Sequence, residues 1–294
     1  MSVIQTIVPV THDLGDFQVR RALPAPRRTM VGPFIFVDQF GPARLEAGKG
    51  MDVRPHPHIN LATVTWLFEG AIDHRDSVGS FATIRPGQVN LMTAGRGIVH
   101  SERSPLRERS EGPQFYGMQT WLALPDGREE IDPAFEAVTD LPMVEQFGAR
   151  AQVIMGSLWG ARAPTTTHAE TIYAEIDLAP GGAIPIDAEA DERAVMLVGG
   201  QASLDDLPLK LYELVVLAPG SAMALRSAEG GKIMLLGGEA FSTRRHVYWN
   251  FVSSSRDRIE QAKEDWRANR FPVVPGDDSE FIPLPDKPKT VSYP

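Results

Sequence analysis

Three of the seven histidines fall in two short clusters whose spacing suits metal chemistry. His56 and His58 stand two apart in Arg54-Pro55-His56-Pro57-His58, and His100 and Glu102 stand two apart in Gly95-Arg96-Gly97-Ile98-Val99-His100-Ser101-Glu102. On an extended strand, residues i and i+2 project from one face, so each pair can aim both side chains at one spot. Two such pairs on neighbouring strands would place three imidazoles and one carboxylate around a single ion inside a barrel. One His-x-His alone is weak evidence; two pairs separated by a long run of strand-like sequence are much stronger. The bland alternative reads His56 and His58 as turn histidines beside prolines, and His100 with Glu102 as an ordinary hydrogen-bonded pair.

The rest of the composition narrows the chemistry. The chain has no cysteine, which excludes disulfides, a thiolate nucleophile, Cys-ligated zinc and Cys-bound iron–sulfur clusters. Any metal must then sit on nitrogen and oxygen. His12, His74, His168 and His246 lack a partner pattern and read as surface or satisfied core residues. No serine stands in a nucleophile-elbow context, so hydrolase chemistry is disfavoured. A net charge of −9 argues against direct nucleic-acid binding, and no apolar run is long enough to span a membrane. The start lacks a signal-peptide pattern, so a cytoplasmic protein is expected, or a nuclear one in a eukaryotic source.

The elements that must position these residues are strands. Among 294 residues there are 26 Gly and 24 Pro, too many for a helical bundle and too unperiodic for collagen. Apolar runs broken by turns recur at Gly32 to Val37, Leu61 to Phe68, Phe81 to Ile84, Val89 to Thr93 and Phe115 to Leu124. After a polar stretch read as a linker, they resume at Ala151 to Met155, Thr171 to Leu178, Ala194 to Leu197, Leu211 to Leu217 and Lys232 to Leu236. TWLFEGAIDHRDS before IRPGQVNLMTAG is echoed by AVMLVGGQASLDD before LAPGSAMALRSA, which suggests a duplicated β-domain. One helix is expected after Ser254, with Ile259, Ala262 and Trp266 on one face and Pro272 beyond its end. The tail from Phe271, with Phe281, Ile282 and Leu284, reads as a strap.

At this point the residues carry a resemblance. Gly50-x5-His56-x-His58 with Gly70 looks like the first cupin motif, and Gly95-x-Gly97-x2-His100 like most of the second. Where a Glu usually follows the His pair, Ala62 and Thr63 stand instead, and the carboxylate is Glu102. That displaced Glu, with Gly32-Pro-Phe-Ile-Phe-Val-Asp-Gln-Phe-Gly-Pro42, Glu69-Gly70-x3-His74-Arg-Asp-Ser77, Ile84-Arg-Pro-Gly87 and Met92-Thr-Ala-Gly-Arg-Gly-Ile-Val-His-Ser-Glu102, is similar to the pirin family. The resemblance implies an all-β fold of two cupin (jelly-roll-type) β-barrel domains facing each other, with a C-terminal helix and a Pro-rich tail. The expected division is 1–130 for a metal-binding barrel, 131–148 for a linker, 149–250 for a barrel without metal ligands, and 251–294 for the helix and tail. In the second barrel Asp187, Glu189, Asp191 and Glu192 are read as a solvated acidic rim rather than as ligands.

The resemblance further implies quercetin 2,3-dioxygenase activity: cleavage of a flavonol ring with O2 and release of carbon monoxide. The expected metal ligands are His56, His58, His100 and Glu102, with Glu102 also accepting the substrate hydroxyl proton. Fe(II) is the expected ion, and Mn, Ni, Cu or Zn are alternatives that ligand type does not separate. Four protein ligands on an octahedral ion leave two positions at which an organic oxyanion and dioxygen could meet. Phe34, Phe36 and Trp66 are candidates to line the pocket, although an ordinary core role is the preferred reading for each. The runner-up function is a metal- and redox-dependent regulator that binds a transcription factor or metabolic enzyme, and a third is a silent barrel with a structural metal. A monomer is expected.

Overall fold

The structure is a computed structural model and describes residues 2–13, 17–186 and 188–286. The chain divides into two compact units, each gathered from separate segments. One comprises the chain through Thr11, Arg20–Val37 and Asp140–Phe241; the other comprises His12–Val19, Asp38–Thr139 and the chain from Ser242.

The histidine-bearing unit is an antiparallel double-sheet jelly roll. Its large sheet runs Ala134–Val138, Val89–Thr93, Leu61–Gly70, Gln114–Ala123 and then Phe34–Arg44, of which residues 38–44 belong to this unit. Its small sheet runs Asp52–His58, Ile98–Arg103, Ile72–Asp76 and Phe81–Ile84. Leu61–Gly70 is rich in β-branched and aromatic residues, and its first seven residues are all buried, as suits a pleated strand covered on both faces. Gly95 opens the turn into the His100 strand at φ +50, where a Cβ would lie 2.0 Å from the Ile131 carbonyl oxygen. Only glycine fits so close an approach.

The second unit repeats this plan. Its small sheet runs Ala183–Ile186, Met223–Arg226, Ser203–Leu204 and Leu207–Pro208, and in both small sheets the spatial order is first, fourth, second, third along the chain. Its large sheet carries Leu214–Leu217, Glu192–Gly200, Gly231–Gly238 and Thr171–Leu178 in the order of their counterparts in the first. The sequence echo therefore corresponds to a repeated topology. Matching the registers of the two small sheets puts Ile184, Ile186 and Leu225 where the other unit has His56, His58 and His100. All three are almost fully buried, so apolar packing replaces the donor atoms.

The helix Arg256–Arg267 buries Ile259, Ala262 and Trp266, the stripe its spacing predicts, against Ile59, Val99, Phe251 and Val274. Its N-cap is Ser255, whose hydroxyl accepts from the Arg258 N–H; such a cap contributes about 1 kcal/mol. Ser254, one residue earlier, is instead held by the Glu129 carboxylate through its N–H. Beyond the helix, the Trp266 indole donates to the Ile282 carbonyl and the Ile282 N–H to the Pro55 carbonyl. Arg103 grips both oxygens of Asp277 at 2.8 Å. These contacts tie the tail to the two strands that carry His56, His58 and His100.

The 131–148 stretch, read above as a linker, contains two strands, Ala134–Val138 and Met143–Gln146. None of their residues is buried, so the apolar alternation that marks a strand is missing; pairing with Val89–Thr93 and Ala149–Met155 makes them strands. Among the described residues no helix is long and apolar enough to cross a membrane.

Candidate metal centre

His56 and His58 lie on one face of the strand Asp52–His58, and His100 stands directly opposite His56 on the strand Ile98–Arg103. The three rings crowd together, with centroids 4.4 to 5.1 Å apart. Their candidate ligand atoms all lie within 4.8 Å of one another, and their exposures are 6%, 1% and 1%. Burial is the main force on their protonation, because an imidazolium there would lose its hydration. It lowers His56 to about 4 and, with the neighbouring histidines adding to it, pushes His58 and His100 well below the ordinary value. All three are therefore neutral at pH 7 and present lone pairs, as a metal ligand must.

The geometry fits an ion. The Nε2 atoms of His58 and His100 are 3.1 Å apart. Two nitrogens bound to one ion at about 2.1 Å and a right angle would be separated by about 3.0 Å. The His56 Nδ1 lies 2.8 Å from the Arg54 carbonyl, so an Nδ1–H donated there leaves Nε2 free to bind. Neutral nitrogen donors without a thiolate suit Fe(II), Mn, Ni, Cu or Zn.

Glu102 follows His100 on the same face of its strand. The register shifts between them, and Glu102 lies opposite Val53 on one side and His74 on the other. Burial raises its carboxyl above the ordinary carboxylate value, against a smaller opposing pull from His74. Among the described residues the group within 4.8 Å is the three imidazoles; Glu102 stands outside it at that distance.

A second layer supports His100. Its Nδ1 meets the His74 Nδ1 at 3.4 Å, and the His74 Nε2 is 3.0 Å from Asp76 Oδ2. The other oxygen of Asp76 accepts the N–H groups of Val78 and Ser80 at 3.0 Å each, which anchors it to the turn. Burial pushes the Asp76 carboxyl up, but hydrogen bonds from His74 and Ser80 outweigh this and hold it below the ordinary value. The His74 ring stacks on Phe135 with centroids 4.5 Å apart. His74 is thus a buried, satisfied residue, and it also touches the cluster. The signal was in the sequence: His74-x-Asp76 shares the i, i+2 parity of the other pairs.

Carboxylate anchors behind ligating histidines fix ring orientation and basicity. Asp76→Asn is accordingly expected to weaken metal binding about 10- to 100-fold. Competition with a chromogenic chelator would measure this, with circular dichroism checking the fold; unchanged affinity would remove the supporting role.

The remaining candidates lie elsewhere. His12, His168 and His246 are partly exposed and join no ligand group. Phe34 packs edge-on against Tyr173, and Phe36 lies under the Arg21 guanidinium, both in the second unit. Trp66 is buried on the strand Leu61–Gly70 at the opposite parity to Thr63, the residue across from Trp121, and Trp121 is the ring that meets His58. Of the acidic group, Glu189 and Asp191 are exposed, whereas Glu192 pairs with Arg28 at 3.0 Å and accepts the Gly32 N–H; Asp187 lies outside the described residues.

The chain is similar to known proteins along nearly its whole length. Residues 16–122 match the family model described as Pirin, and residues 173–272 match the one described as Pirin C-terminal cupin domain. A pirin-like protein of Caulobacter vibrioides is 48% identical over 280 residues, covering 93% of this chain and 96% of that protein. A crystal structure of quercetin 2,3-dioxygenase from Acinetobacter baumannii matches with a TM-score of 0.90 and 34% identity, covering 98% of each chain. A second crystal structure so named, from the same organism, matches with a TM-score of 0.85 and 25% identity over 92% of this chain and 98% of that one.

Proposed function

The chain belongs to the pirin family and folds as two cupin domains, and from that premise we propose that it is a metal-dependent dioxygenase that opens the central ring of flavonols such as quercetin, consuming O2 and releasing carbon monoxide. The observation that carries this reading is the trio of buried, neutral imidazoles with two Nε2 atoms 3.1 Å apart. The likeness to structures described as quercetin 2,3-dioxygenase supports the choice of substrate. One divalent ion, Fe(II) by preference, would be held by His56, His58, His100 and Glu102, and would supply Lewis acidity toward a substrate oxygen and electron exchange with dioxygen.

The chain's own groups do the rest. Glu102, with its carboxyl pushed up by burial, is suited to accept the proton of the flavonol 3-hydroxyl. The Trp121 ring, edge-on to His58 with centroids 5.0 Å apart, and Phe135, stacked on His74, offer apolar surface to a planar aromatic substrate. Burial of the imidazoles keeps protons from competing for their lone pairs at neutral pH.

The test is to load the purified chain separately with Fe(II), Mn, Ni, Cu and Zn and follow quercetin absorbance in air. Metal-dependent loss of the flavonol band with evolution of carbon monoxide is expected. A metal-replete protein that leaves quercetin unchanged with every ion would sink the reading.

A further inference from the structure

The wall opposite the histidines can be followed residue by residue. Trp121, whose ring meets His58, pairs with Thr63; Thr63 pairs with Met92, and Met92 with Phe135, whose ring covers His74. Those contacts identify this as the face that looks onto the candidate metal centre. Two residues along the strands, and so on the same face, come Gln119, Thr65 and Asn90, again in register. Here the wall turns polar. The Thr65 hydroxyl donates to Gln119 Oε1 at 2.9 Å, which commits the oxygen of that amide and leaves its NH2 as a donor. Asn90 is 4% exposed, and its Nδ2 has no hydrogen-bond partner.

A buried amide without an acceptor weakens a fold, whereas an apolar side chain of similar size would not. Such a group in a core needs a reason, and its place across from a candidate ligand centre supplies one. We propose that Asn90, with Gln119 beside it, is a specificity-determining residue: its NH2 donates to a phenolic oxygen of the substrate on the side away from the histidines. This rests on the flavonol reading above and deepens it. The chemistry recognised is a planar aromatic molecule that carries a second oxygen acceptor remote from the one directed at the metal centre. A bare aromatic ring in that position would leave the amide unsatisfied and bind more weakly.

The experiment compares the metal-loaded wild type with Asn90→Val and Asn90→Ala. Each is titrated anaerobically with quercetin and with 3-hydroxyflavone, which keeps the 3-hydroxyl and the carbonyl but lacks the other ring hydroxyls. Quercetin affinity is expected to fall about 10-fold in both variants, while that for 3-hydroxyflavone stays within about twofold. Because the substitutions remove an unpaired buried amide, at least one metal-free variant should melt at or above the wild type. Equal changes for the two ligands, no change for either, or both variants melting several degrees lower would overturn the assignment. If the wild type turns over quercetin and the variants bind it unchanged, only the role of Asn90 falls. If the wild type binds neither flavonol, the substrate reading falls and takes this assignment with it.

Discussion

Replacement of His100 by alanine is expected to strip the protein of bound metal while leaving the chain folded. His100 is the hub of the cluster: its Nε2 is 3.1 Å from that of His58, its Nδ1 meets His74, and it stands opposite His56 in the sheet. Its loss removes one ligand and disconnects the Asp76–His74 support from the centre. Two imidazoles then remain from the trio. The effect should therefore exceed the roughly 10- to 100-fold expected for the indirect change at Asp76. The jelly roll itself should survive, because a strand position is kept and the second unit packs with Leu225 at the matching register position. Metal analysis after dialysis should show about one ion per wild-type chain and almost none in His100→Ala. His168→Ala, outside the ligand group, should match the wild type. A His100→Ala protein that keeps a full complement of metal would refute the assignment.

How much of this could be read from the sequence follows from which interactions are local. His56 and His58 are joined by strand parity, a local property, and their convergence with His100 needed only one more assumption, that the two strands pair. The helix stripe Ile259, Ala262 and Trp266 was legible for the same reason. What escaped depends on register between distant strands. His74 reaches the cluster only because its strand pairs with the His100 strand on the side away from His56. Asn90 becomes conspicuous only when Thr65 and Gln119 are seen to satisfy each other beside it. The strands within 131–148 were hidden because residues such as Glu136 and Glu145 sit in unburied edge strands, where no apolar alternation is required.

The metal-free protein is expected to lose stability steeply as pH falls from about 6.5 toward 4. Folding buries three imidazoles in a place that disfavours their charged form, so the unfolded chain takes up protons at a higher pH than the folded one. Between the two values the unfolded state binds more protons, and stability therefore rises with pH and falls with acid. The stabilisation of the neutral, folded form is fully present above the unfolded value and is lost progressively as pH drops through the window. For His56 alone, a shift from 6.5 to about 4 corresponds to about 3 kcal/mol, a large part of the net stability of a typical domain. His58 and His100 act in the same direction. Thermal melts of the chelator-treated protein at pH 7.5, 6.5, 5.5 and 4.5 would reveal the loss, and His56→Gln, which cannot titrate, should flatten part of it. Bound metal must be displaced before its ligands can take protons, so the loaded protein should begin to lose stability at lower pH. A melting temperature independent of pH across this range would show that the imidazoles are far better solvated than their burial indicates.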